Sequence, residues 1–157
     1  MPDVDAAVAL QGASVHRTFM RVLGVGENSL LTSSQGETRI ERLSRRVVRF
    51  TTTGFFTSEA GDVALEQTRL VLAEIGDGFC GFYDWAAMTG YHSHDRAKAT
   101  SFVMAHRQQY ACASFLTSST MVSMGVNVAN LVLGGFLQGT TKRDEFEARL
   151  HKALAEG

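Results

Sequence analysis

The densest group of side chains able to do chemistry is Tyr91-His92-Ser93-His94-Asp95. Two imidazoles and a carboxylate are donors that a divalent metal takes, and Ser, His and Asp are the members of a hydrolytic triad. Neither arrangement fits the spacing. His92 and His94 diverge where a loop enters a helix, and no third ligand is near in sequence. His106 lies twelve residues beyond His94, about 18 Å away at a helical rise of ~1.5 Å per residue. Neighbouring residues do not converge as nucleophile, base and orienter, and no G-x-S-x-G elbow is present. The expectation is solvated loop histidines, with no metal site, no catalytic residue and no cofactor.

Other candidates also read as structure. GVGEN and GDGFCG match neither a dinucleotide fingerprint nor a P-loop and are read as turns. The two cysteines, Cys80 and Cys112, stand in apolar runs on strands expected to be neighbours, and are read as buried thiols. Arg39, Arg42, Arg45, Arg46 and Arg49 form a basic run, but on strands they alternate faces. They are expected to be salt-bridged and to guard strand edges.

The elements that carry these residues follow from the pattern. SLLTSS, TRIERLS and RRVVRFTTTG are short, rich in β-branched residues and separated by polar turns, which predicts two or three antiparallel strands. A helical period then runs over Ala60, Val63, Ala64, Leu70, Val71 and Ile75, with Thr57 or Ser58 as its cap and Gly76 and Gly78 at its end. GFCGFYDW and ACASFLTS have the length and continuity of strands buried on both faces. Between them Ser93 is placed as the cap of a helix with Ala99, Phe102, Val103, His106 and Tyr110 on one stripe. Ser118 or Ser119 opens a third helix, LQGT is a short strand, and Thr141 with Asp144 resembles a capping box for the last helix. Strands alternating with helices imply right-handed crossovers onto a mostly parallel sheet.

This order, with a strand ending in YDW, a loop MTGYHS into a helix, and VSMGVNVANLVLGGF as a third helix, resembles the STAS domain, and within it the SpoIIAA-like branch. The resemblance covers roughly residues 45–155 and rests on element order more than on any string. It implies an α/β fold with a central mixed sheet of about five strands and four helices. Residues 1–44 would form an extension, with strands from about residue 29, and residues 45–157 the domain. It also implies a non-enzymatic regulatory module that binds a protein partner through Asp84, Trp85, Tyr91, His92, Ser93 and His94. In anti-sigma-factor antagonists the Ser or Thr capping the second helix is phosphorylated by a partner kinase. The residue before it is usually Asp, whereas here His92 and His94 flank Ser93, so a plain N-cap is the simpler reading of that phosphosite candidate.

The helix over residues 121–136 is apolar on every side, although a helix laid on a sheet needs only a stripe. Met121, Met124, Val128, Leu131 and Phe136 are therefore expected at an interface, with a protein partner, a second copy of the chain, the N-terminal arm or a lipid as its occupant. The alternative function is a small-ligand or lipid carrier with an apolar cavity under residues 119–137.

Composition bounds both readings. The chain has 157 residues, is 45% hydrophobic and 20% charged, and carries a formal net charge of −1. That suits one globular domain and does not favour nucleic acid, whose binders are usually strongly basic. MPDVDAAVALQGAS is acidic where a secretory segment is basic, and no window has the roughly 18 apolar residues of a membrane span. A cytoplasmic location is the expectation.

Overall fold

The computed structural model describes residues 20–134 and 136–157, leaving aside the side chains of Met121 and Val132. Three strands, β1 (Asn28–Thr32), β2 (Gly36–Arg42) and β3 (Val47–Phe56), form an antiparallel meander. Helix α1 (Ser58–Ile75) leads to β4 (Phe79–Tyr91), and α2 (Ser93–His106) to β5 (Tyr110–Thr117). Helix α3 (Thr120–Val132), the short β6 (Gln138–Thr140) and α4 (Arg143–Glu156) complete the chain. Strands lie side by side in sequence order, and the β3–β4, β4–β5 and β5–β6 pairs are parallel. The sheet has six strands where about five were expected, because β1 and β2 continue it from the stretch before residue 45.

Two helix starts match the sequence reading and two differ from it by a single residue. Thr57 caps α1, its hydroxyl accepting from the Ala60 amide at 3.2 Å, and Ser119 caps α3. The cap position of α2 is His92, with no side-chain bond, so Ser93 is the first helical residue instead of the cap. Lys142 takes the cap position of α4, while Thr140 accepts from the Lys142 amide and donates to Glu145. Gly76 closes α1 at φ 79°, a conformation natural to glycine.

Strand alternation divides the core between two faces. Val48, Phe50, Phe79, Ala113 and Phe115 turn toward α1, α2 and α3, while Val47, Phe82 and Leu116 meet Phe146 and Leu150 of α4. At the start of the described chain, Gln67 accepts from the Leu23 amide and donates to the Arg21 carbonyl. Arg42, expected in a charged edge, is buried. Its guanidinium bonds the carbonyls of Leu23 and Arg45 and both carboxylate oxygens of Glu74. Arg46 pairs with Asp77 and Arg49 with Glu41, as a salt-bridged run requires.

The cysteines are not separate thiols. Parallel register sets Cys80 directly opposite Cys112 with Cα atoms 4.6 Å apart, and the two sulfurs form a disulfide on the α4 face. Alternating apolar letters showed that both lie on neighbouring strands, but not that the register aligns them. Among the described residues, no helix is long and apolar enough to cross a membrane.

Candidate functional site

Three aromatic rings of the sheet stand in one row. Phe50, Tyr83 and Phe115 are register partners on β3, β4 and β5, facing the same side. Strands spaced about 4.8 Å apart bring such side chains to stacking distance. The Phe50 and Tyr83 rings lie 4.9 Å apart at 7°, and the Tyr83 and Phe115 rings 4.5 Å apart at 10°. Trp85, two residues on, meets the edge of Phe115 at 4.9 Å.

Over this aromatic floor the helices present small residues: Gly61 and Ala64 from α1, Ala99 from α2, Gly125 and Ala129 from α3. Large rings below and small residues above leave a cavity of about 120 Å³. The alternative reading from sequence placed an apolar cavity under α3, and Val122, Gly125, Val126, Ala129 and Leu133 do line one. Gly125 also admits Tyr91: a Cβ on Gly125 would sit 1.5 Å from the Tyr91 hydroxyl.

Polar groups in the wall are few. Burial pushes the Tyr83 phenol up from 10.0 to about 12 and raises Tyr110 as well. Both hold their protons in the fold when the unfolded phenols would already ionise. Stability is therefore complete below pH ~10 and expected to fall as pH rises toward about 12. Urea unfolding across that range should show the decline, and the Tyr83→Phe, Tyr110→Phe double variant should flatten it.

Two polar links join the starts of α1 and α2 beside the cavity. The Ser58 hydroxyl donates to Asp95 at 2.7 Å, and Lys98 pairs with Asp62. The Asp95 carboxylate, which is buried, also faces His94 at 3.3 Å. Half-buried Arg96 lines the cavity too.

The residues proposed as one patch are divided by the sheet. Strand β4 runs on through Tyr91, so the expected MTGYHS loop is mostly strand. Trp85 and Tyr91 line the cavity, whereas Asp84 points to the α4 face. There Asp84, 5% exposed, takes two hydrogen bonds from Arg143 at 2.8 and 3.1 Å, with Arg49 at 3.7 Å. His92, Ser93 and His94 are exposed at the start of α2, and the His92 ring contacts Phe55.

On α3, Met124 (62% exposed), Val128 (46%) and Leu131 (84%) form an outward stripe. Phe136 does not join it. It is half-buried, with the Arg107 guanidinium 3.7 Å from its ring and Tyr110 edge-on. The side chain of Met121 lies outside the described residues.

No family model matches the chain, and no curated protein does. An uncharacterised DUF3478-family protein with a SpoIIAA-like fold, from Shewanella loihica PV-4, superposes with a TM-score of 0.53 at 14% identity. The match covers 83% of this chain and 98% of that one. The fold is SpoIIAA-like. The anti-sigma factor antagonist SpoIIAA in its unphosphorylated form also superposes, with a TM-score of 0.53 at 12% identity over 73% of this chain and 96% of its own. The STAS-type resemblance read from element order therefore holds at the level of the fold.

Sequence reasoning missed Phe50, Tyr83 and Phe115 as a group, and Arg143 as the partner of Asp84. The rings were legible singly in VVRF, GFY and SFL; their alignment depends on register, which one strand's letters do not encode. Arg143 is 59 residues from Asp84, and only the position of α4 brings them together.

Proposed function

We propose that this SpoIIAA-like chain is a non-enzymatic regulatory module that takes a small apolar molecule under α3 and offers the outer face of that helix to a protein partner. The observation that carries the reading is the aromatic-floored cavity of about 120 Å³. An apolar cavity of about 150 Å³ stays dry and takes up benzene, so the size suits one ring or a short acyl group. Helix α3 faces the cavity with Val122, Val126 and Ala129 and solvent with Met124, Val128 and Leu131. A ligand that orders the inner face would thus act on the surface a partner meets. Exposed Ser93, His92 and His94 at the start of α2 would extend that surface. A phosphate on Ser93 would meet free backbone amides at the helix start and change the charge presented there.

Toluene tests the reading directly, because Trp85 is the only tryptophan and lines the cavity. Titration should change its emission saturably. Saturation at a hundredfold Kd should raise unfolding stability by about 2.7 kcal/mol. Unchanged emission together with an unchanged unfolding midpoint would remove the cavity as a binding site.

A further inference from the structure

The charges in the cavity wall are not equally satisfied. Four charged residues line it: Asp62, Lys98, Asp95 and Arg96. Lys98 is held by Asp62, and the two oxygens of Asp95 are engaged by Ser58 and His94. Arg96 is different. Its backbone is tied into α2, with its carbonyl accepting from Thr100, but its guanidinium has no hydrogen-bond or ion-pair partner among the described residues. Half-buried Arg96, which lines this apolar space and has no carboxylate partner among the described residues, carries five donors in a planar fork. The ligand chemistry that completes both parts is an anionic oxygen pair on a compact apolar body.

We propose that the cavity binds a small monocarboxylate, an aromatic or short branched acid, with its carboxylate on Arg96 and its body against the rings of Phe50, Tyr83 and Phe115. The inference rests on the reading of the cavity as a ligand site and adds the class of ligand. Stacked and edge-on rings favour an aromatic body. A second carboxylate would find Asp62 and Asp95 nearby, which disfavours diacids.

Phenylacetate, with phenylacetamide as its neutral counterpart of similar shape, separates the two ideas. Binding is read from Trp85 emission and by calorimetry on the whole chain. Wild type should bind phenylacetate at least about tenfold more tightly than phenylacetamide, as charge-assisted hydrogen bonds require. Arg96→Gln should erase that preference by weakening phenylacetate, while toluene, which has no polar group to meet residue 96, still binds and shows that the variant's cavity is intact. Arg96→Lys, which keeps the charge and loses the fork, should retain part of the preference and make it more sensitive to salt. Equal binding of the two probes by wild type would overturn carboxylate recognition and leave the cavity reading standing. A preference that survives Arg96→Gln would overturn the role of Arg96. Binding of neither phenylacetate, phenylacetamide nor toluene would overturn both.

Discussion

Phe115→Ala is expected to destabilise the chain by about 3–5 kcal/mol, the usual cost of removing a buried phenyl ring. Phe115 is buried and ends the row of stacked rings, so its loss strips Tyr83 of a face contact and Trp85 of an edge contact. The site cannot collapse easily, because the β4–β5 register fixes the floor and small residues already line the roof. Part of the void therefore persists and merges with the existing space of about 120 Å³. Two outcomes follow. Urea denaturation should show a lower midpoint with an unchanged slope, and naphthalene should stabilise the variant more than wild type. A loss below about 1 kcal/mol would mean that the helices settle onto the floor, contrary to a preformed cavity.

The reasons why this cavity was only half legible lie in particular residues. A helix that is apolar all round must bury a second side or expose it, and α3 does both, lining the cavity on one side and showing an outward stripe on the other. Met124, Val128 and Leu131 at spacings of four and three are that stripe. Phe136 was grouped with them because it follows in sequence, yet the chain leaves the helix at Leu133 and turns the ring inward under Arg107. Trp85 and Asp84 were treated as neighbours of one loop; on a strand, adjacent residues point to opposite faces, and continuation of β4 to Tyr91 put them on different sides of the sheet. Element order was readable because hydrophobic period changes from two to 3.6 are local signals. Strand register is set by pairing across the sheet, and it decided the ring row, the Cys80–Cys112 disulfide and the setting of Asp84 alike.

Arg143→Leu should cost about 2–3 kcal/mol, below the 3–5 kcal/mol of a fully buried pair broken on one side. The reduction has two physical causes. Arg143 is half-exposed, so little is lost by removing it from its own surroundings, and Arg49 remains 3.7 Å from the stranded Asp84 carboxylate. The carboxylate itself has almost no access to water, and its two strongest hydrogen bonds vanish together. Replacing both partners, Asp84→Leu with Arg143→Leu, removes the buried charge along with its counter-charge, and should cost less than the two single losses added. The double-mutant cycle should therefore give a coupling of about 1–3 kcal/mol. Toluene binding supplies the functional half of the test. Asp84 and Arg143 tie α4 to the face opposite the cavity, so each variant that remains folded should bind toluene as wild type does. Altered toluene affinity in both single variants, with additive stabilities in the cycle, would instead tie Asp84 to the cavity and its partner surface, as the reading of residues 84–95 as one patch first implied.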